Sequence, residues 1–394
     1  KKSIGKNQSE TTLTQRTMRA FDFVKGKAAA PFAKDLIYLF SKLNSNGMRV
    51  TFTLLIAGAF AVCGCKKAEL PAQPRKGPLE GTVLFIGDNL THSGEFIAYL
   101  DAVLYAESIK SRPKLKNEVA YVDLINLGMP SETCSGLTES ELDTPRPVVH
   151  ERLGRALEMI KPDTVFVCYG TIDGIFSPFS EERFDAFKNG INSIVEQVHT
   201  AGASVILMTP PPFDMERNRP EGKLRPADAG EFGYFKVYEN YDEEVIAKYS
   251  AWILHQEGNV EQVIDLRSPL ISYLSRKRSE DPAYTFTGNG ARLDDEAHMV
   301  IAKTIWSSMG RDAGLLDSVW RRHRVRSEKR QEILHPAWLS HVGYSITERP
   351  KSLQEGLPLE EAMARADEVA WEVEREFRQE RLKQNSAGAS NLPN

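Results

Sequence analysis

The stretch Phe85-Ile86-Gly87-Asp88-Asn89-Leu90-Thr91-His92 joins a short apolar run to the start of a helical pattern. The apolar run occupies residues 82–86, and similar runs lie at 121–127, 164–169, 204–208 and 262–266. Runs that are apolar on both faces are typical of strands in a parallel sheet that is covered on both sides. We therefore expect five buried parallel strands.

Longer segments between these runs carry apolar residues at positions i, i+3, i+4 and i+7. They lie at residues 95–108, 148–160, 181–201 and 241–256. This spacing is typical of amphipathic helices. The alternation predicts an α/β protein, a three-layer α/β/α sandwich with a flavodoxin-like parallel sheet. Binding loops in such folds follow the carboxyl ends of the strands, so we expect functional residues there.

Glycine-containing motifs stand after three of the predicted strands and before a late helix. They read Gly87-Asp88-Asn89, Asn126-Leu127-Gly128, Gly170-Thr171-Ile172-Asp173 and Gly288-Asn289-Gly290-Ala291-Arg292. In this order, the motifs resemble the blocks of the SGNH, or GDSL-type, esterase family. The resemblance covers roughly residues 81–310. It implies the SGNH hydrolase fold and, as the family's reaction, hydrolysis of carboxylic esters, often acyl groups on carbohydrates or lipids.

The resemblance assigns catalytic positions to residues that lack the required chemistry. The nucleophile position holds Asn89, and the oxyanion positions hold Gly128, which keeps its backbone N–H, and Ile172. The acid position holds Asn289 and the base position Arg292, which stays protonated and cannot act as a general base. A lost side-chain donor alone removes roughly 3 kcal/mol of transition-state stabilisation. The sequence therefore predicts a catalytically impaired pseudoenzyme.

A second alignment of the last motif is open. Asp295 and His298 also have the Asp-x-x-His spacing and would supply a base with its orienting acid. The protein would then be an active esterase with a non-standard nucleophile, or with water as the attacking group. The turn at residues 288–290 and its distance from the apolar helix at Met299 favour the first alignment.

The substitutions in the cleft have two interpretations. Either they accumulated independently in a pocket that is no longer used, or they converted the pocket from cleaving a substrate to binding a ligand. Asn89 at a helix N-terminus, the Gly128 N–H and the cationic Arg292 would converge on a carboxylate, a sulfate or an acidic sugar. Asp88 has the alternative role of holding its turn through local hydrogen bonds. The further candidate binding residues are Asp88, Thr91 and Asp173.

The N-terminal part resembles an export signal. Met48-Arg49 precedes an apolar run at 50–62, which is shorter than the roughly 20 residues that span a bilayer. Val62-Cys63-Gly64-Cys65 resembles a bacterial lipobox, which implies a lipid on Cys65. We expect a non-native upstream segment (1–47), a signal peptide (48–64) and a tether (65–80). The protein would be exported and anchored to a membrane, in the periplasm or at the cell surface.

The character of the chain changes after the esterase-like domain, which we place at 81–312. We expect a helical extension at 313–384 and a disordered tail at 385–394. The basic run at 321–326 is typical of a solvated helix face. The apolar face of the last helix would pack on the domain or on a partner helix, so a scaffold at the membrane surface is a third functional hypothesis.

Composition narrows the classes of partner. A net charge of −4 from 50 basic and 54 acidic residues creates no positive electrostatic potential that would attract nucleic acid. Two cysteines remain in the domain, Cys134 and Cys168, and their spacing is not that of metal ligands. We interpret them as two separate buried residues, with a disulfide as the alternative. We expect neither a metal nor a cofactor.

Overall fold

Seven strands are present in the described part of the chain. The computed structural model describes residues 77–111, 122–220, 222–285, 293–344 and 353–389. The strands are β1 (Thr82–Gly87), β2 (Asp123–Asn126), β3 (Thr164–Cys168), β4 (Ser204–Met208), β5 (Leu224–Arg225), β6 (Val237–Tyr238) and β7 (Gln262–Ile264). Five of them form a parallel sheet in the order β2-β1-β3-β4-β7, and β5 and β6 form a separate pair. All five predicted strands are confirmed.

The helices of the sheet region follow the predicted pattern closely. They are α1 (Asn89–Ser93), α2 (Glu95–Ser111), α3 (Leu153–Ile160), α4 (Glu181–Thr200), α5 (Ala247–Leu254), α6 (Arg267–Glu280) and α7 (Asp295–Ser308). The helix predicted at 148–160 begins as the short 3-10 helix Val149–Glu151, and the one predicted at 241–256 begins as the π-helix Tyr241–Ile246. Helix α6 was not predicted, because few of its side chains are apolar and buried.

Alternating side chains of the strands divide the apolar core into two layers. Leu84 and Ile86 of β1 belong to a cluster with residues of α3, α4 and α5. Val83 and Phe85 of the same strand belong to a second cluster with residues of α2, α6 and α7. Because each strand contributes to both clusters, the sheet is covered on both faces, and the predicted three-layer α/β/α architecture is confirmed.

A long helix, α8 (Gly314–Val342), lies against α2 and the free edge of β2. Gln331 Nε2 donates to the Leu124 carbonyl at 3.5 Å. Arg326 pairs with Asp101 of α2 at 2.9 Å, and its guanidinium lies 3.6 Å from the ring centre of Tyr105. The prediction that residues 321–326 form a solvated face is wrong for Arg326 and His323, which are buried. Each of the two side chains binds a carboxylate on a neighbouring helix, a contact that the run itself cannot indicate.

The last helix, α9 (Leu359–Ala389), packs on α8 rather than leaving the domain. Three alanines form its buried stripe, and His323 of α8 lies 2.8 Å from Glu374 of α9. The predicted tail begins inside α9, and the predicted tether includes the buried Leu79. Among the described residues, no helix is both long and apolar enough to cross a membrane. Cys134 and Cys168 are free and buried, as interpreted from the sequence.

Candidate functional site

The carboxyl ends of β1, β2 and β3 form the candidate site. β1 has β2 on one side and β3 on the other, so connections leave it in opposite directions and open a crevice at its end. Gly87 ends β1 where a Cβ would lie 2.5 Å from the Cys168 carbonyl oxygen and 2.2 Å from Thr91 Oγ1. A glycine is therefore needed for α1 to begin this close to β3.

Asp88 caps the turn between β1 and α1, and Thr91 lies buried in α1. Asp88 Oδ1 accepts a hydrogen bond from the Leu90 N–H at 3.2 Å, the contact of a helix N-cap. Both side chains are fully buried. The geometry therefore fits the turn-holding role of Asp88, and neither predicted binding residue is exposed to a ligand.

The Asp88 carboxyl has an unusual proton affinity. Burial raises its pKa from 3.8 to about 7, and the charge of Asp173 adds to this effect against the hydrogen bond from Leu90. Asp173 is itself buried, and burial raises its pKa as well. Two carboxyl groups thus share one low-dielectric space beneath the site, which favours the neutral form of Asp88.

Asn89 occupies the nucleophile position and uses its side chain to hold a neighbouring loop. Its Oδ1 accepts a hydrogen bond from the Ser131 N–H at 2.9 Å. An oxyanion donor must lie within roughly 3 Å of the oxygen that it stabilises, so the backbone donor that reaches this position belongs to Ser131. Ser131 has φ 64, a conformation that favours glycine. The sequence did not indicate Ser131, because a position with a left-handed backbone conformation is normally occupied by glycine.

The Gly128 N–H, the predicted oxyanion donor, has a partner within the fold. Its N–H donates to Asn126 Oδ1 at 2.8 Å. Its carbonyl accepts from His92 Nδ1 at 3.3 Å and from His335 Nε2 at 3.1 Å. A Cβ at residue 128 would lie 2.2 Å from the backbone nitrogen of His92, so glycine is required here for the close approach of α1. The spacing of the motif could not separate this packing role from a catalytic one.

The motif after β3 also serves the loop that follows β2. Asp173 Oδ1 accepts from the backbone N–H groups of Cys134 and Ser135, at 2.9 and 2.8 Å. Ile172 is buried in the apolar core. An alkyl side chain in the core donates no hydrogen bond, so position 172 adds nothing to an oxyanion site. Asp173, predicted as a binding residue, is fully buried.

The alternative pair Asp295 and His298 is not formed. His298 lies in the interior, with Nε2 at 3.0 Å from Glu95 Oε2 and at 3.1 Å from Ser93 Oγ. The Asp295 side chain is 63% exposed and pairs with Arg324 at 3.2 Å. Because Asp294 caps α7, Asp295 begins the helix on its outer side while His298 points inward.

Ser93, His298 and Glu95 do not form a catalytic triad either. In a serine triad, the two imidazole nitrogens bond to different partners. Here both contacts involve Nε2, and Nδ1 of His298 has no hydrogen-bond partner among the described residues. Burial alone would raise the pKa of Glu95, but the hydrogen bond and charge of His298 lower it to about 2. The cluster therefore anchors α7 to the junction of α1 and α2.

Three predicted site residues lie outside the described residues. These are Asn289, Arg292 and the lipidation candidate Cys65. A pocket of about 470 Å³ lies near the N-terminus of α7, and among the described residues the charged side chains around it are carboxylates. Such a lining does not suit an anion. The pocket is lined by Glu95, Tyr284, Leu293, Asp294, Asp295 and Glu296.

No protein-family model and no curated protein matches the sequence. A gut microbial diltiazem-metabolizing enzyme is 14% identical over 60% of this chain and 48% of that one, with a TM-score of 0.40; the chain thus spans about half of its length. A catalytic mutant of an acetylxylan esterase from Geobacillus stearothermophilus is 18% identical over 61% of this chain and 98% of the esterase, with a TM-score of 0.40. A GDSL-like lipase from Bacteroides thetaiotaomicron is 16% identical over 60% of this chain and 92% of the lipase, with a TM-score of 0.34. The last two carry names of the esterase class that the motifs resemble.

The buried Asp88 predicts a specific dependence of stability on pH. The pKa of Asp88 is about 7 in the folded protein and 3.8 in the unfolded chain. Its contribution to the free energy of unfolding is therefore fully present below pH 3.8 and is lost as the pH rises through about 7. Asp88→Asn keeps an N-cap oxygen and cannot ionise. We expect the variant to be more stable than wild type at about pH 8, by at most ~4 kcal/mol, with the gap closing towards about pH 4.

Urea unfolding across this pH range measures the difference in free energy of unfolding. Asp185→Asn is the matched control, because the Asp185 side chain is 63% exposed. A difference between Asp88→Asn and wild type that is the same at every pH would contradict the account.

Proposed function

We propose that this protein is a relative of the SGNH, or GDSL-type, esterases that no longer hydrolyses esters through a serine nucleophile. The hydrogen bond from the Ser131 N–H to Asn89 Oδ1 carries the proposal. The backbone donor that would stabilise an oxyanion is already engaged by the side chain at the nucleophile position. An amide in that place has neither a nucleophilic oxygen nor a proton that a base could remove.

Two further features support the loss of activity. Ile172 is buried in the core and adds no donor to the cleft. Asp295 and His298, the pair that would supply an alternative base, point in different directions and have other partners. A serine mechanism in the first alignment would take its acid and base from the segment 286–292, where the motif holds Asn289 and Arg292 at those positions.

Hydrolysis of p-nitrophenyl acetate tests the proposal. We expect wild type and Asn89→Ser to remain at background, because a serine without a base gains no activation. The combination Asn89→Ser, Asn289→Asp and Arg292→His restores nucleophile, acid and base, frees the Ser131 N–H, and is expected to exceed background. Ile172 stays unchanged, because an asparagine there would place a polar group in the core.

The matched control carries Asn89→Ala with the same two changes at residues 289 and 292, so it differs only in the nucleophile. Thermal melts of each variant establish that the fold is retained. Wild-type turnover well above background that is lost in His298→Ala would overturn the proposal.

A ligand for the altered cleft, such as a carboxylate, a sulfate or an acidic sugar, would depend on Arg292. Asn89 Oδ1 and the Gly128 N–H, the other two groups of this hypothesis, are engaged with Ser131 and Asn126. Calorimetric titration with acetate, sulfate and galacturonate is expected to give saturable binding that Arg292→Ala abolishes. Arg321→Ala, which removes an equal charge from an exposed site, is the control. Equal binding by wild type and Arg292→Ala, or none by wild type, would refute this hypothesis.

We also propose that the protein is exported and anchored to a membrane through a lipid on Cys65. The basic start at Met48-Arg49, the apolar run and the Val62-Cys63-Gly64-Cys65 motif support this. In a bacterial host, the wild-type chain is expected to enter the detergent phase of a Triton X-114 extract. Cys65→Ala should move it to the aqueous phase, whereas Cys63→Ala should not. Retention of Cys65→Ala in the detergent phase would exclude this anchor.

A further inference from the structure

Two histidines from distant parts of the chain meet at one carbonyl beside the cleft. The Gly128 oxygen accepts from His92 Nδ1 of α1 and from His335 Nε2 of α8, and the two ring centres are 4.9 Å apart. A carbonyl oxygen can only accept, so each of these nitrogens carries its hydrogen. The contact therefore joins α8 to the loop that carries Ser131.

Two groups near His335 disfavour its protonation. His92 faces it from α1, and Arg152 acts on it from the start of α3. The buried Arg152 donates to the Leu127 carbonyl at 2.6 Å. The nearby carboxylate Glu132 is bound to Arg152 at 2.6 Å and to the Tyr169 hydroxyl at 2.6 Å. On α8 itself, the adjacent charged residue Glu332 is exposed. A proton on His335 would thus add positive charge near Arg152, and the nearby carboxylate Glu132 is already bound to Arg152 and Tyr169.

The same place in α8 carries a proline. Pro336 follows His335 inside the helix and cannot donate the helical hydrogen bond, which weakens the helix at this turn. A Cβ at Gly356 would lie 2.3 Å from the backbone of Pro336 and Ala337, so the segment before α9 crosses directly over this proline. Beyond Pro336, Arg155 donates to the carbonyls of Val342 and Tyr344 at 3.1 and 3.0 Å.

We infer that the contact of His92 and His335 with the Gly128 carbonyl is a pH-sensitive latch, which holds the second half of α8 on the cleft at neutral pH and releases it in acid. Burial, together with the neighbouring His92, lowers the pKa of His335 to about 3. When α8 is released, the ring returns to water and to an ordinary pKa near 6.5. The released state thus binds the proton more tightly, so acid favours release by up to about tenfold per pH unit below that value.

Hydrogen exchange of the full chain, measured by mass spectrometry from about pH 4 to pH 7.5 and corrected for intrinsic rates, tests the latch. Protection of peptides from 331–342 is expected to fall by up to about tenfold per unit below pH 6.5, while α4 peptides stay constant. His335→Gln keeps an amide donor but gains no proton, and should flatten the profile. His341→Gln, at an exposed site on the same helix, should behave as wild type.

A flat wild-type profile, or the same slope in wild type and His335→Gln, would overturn the inference. A second measurement needs no variant: the ring shifts of His335 in NMR spectra should show no titration of the closed state above about pH 4. A titration midpoint near the ordinary histidine value, with α8 still protected, would also overturn it.

Discussion

The proposed loss of ester hydrolysis depends on the hydrogen bond between the Ser131 N–H and Asn89 Oδ1. It joins the first residue of α1 to the loop after β2, across the point where connections leave the sheet in opposite directions. As the oxyanion donor that we propose, the Ser131 N–H would have to be open to the substrate's oxygen. Here the side chain of Asn89 satisfies it, and a left-handed serine is held in place as a result. The residue that the motif places at the nucleophile position thus supports the loop after β2.

Many of the surrounding hydrogen bonds also hold the loop after β2. Arg152 holds the Leu127 carbonyl, two histidines hold the Gly128 carbonyl, and Asp173 holds the turn at Cys134 and Ser135. The backbone groups of the loop after β2 thus have partners from four sides. A loop so completely bonded presents few free donors to a ligand. The buried Asp88 and Asp173 add proton-binding groups to this region that contribute nothing to apolar packing.

The fold could be predicted from the sequence because each strand is apolar on both faces and each crossover helix on one. The strand at residues 204–208 was placed without error, and the packing of α9 on α8 was one of two open alternatives. The site was less accessible to prediction. Gly128 is a glycine for packing, and Ser131 sits where a glycine would have marked the backbone donor. His323 and Arg326 appeared solvated because their partners, Glu374 and Asp101, are distant in sequence.

A covalent probe of nucleophilic serines tests the central claim most directly. The native protein would be treated with a fluorophosphonate and digested, and its peptides would be searched by mass spectrometry for modified serines, Ser93 and Ser131 first. Because the nucleophile position holds an amide and His298 is bound to Glu95 through the nitrogen that would serve as base, the account predicts no stoichiometric adduct. A single serine labelled in the native protein and not after denaturation would contradict it.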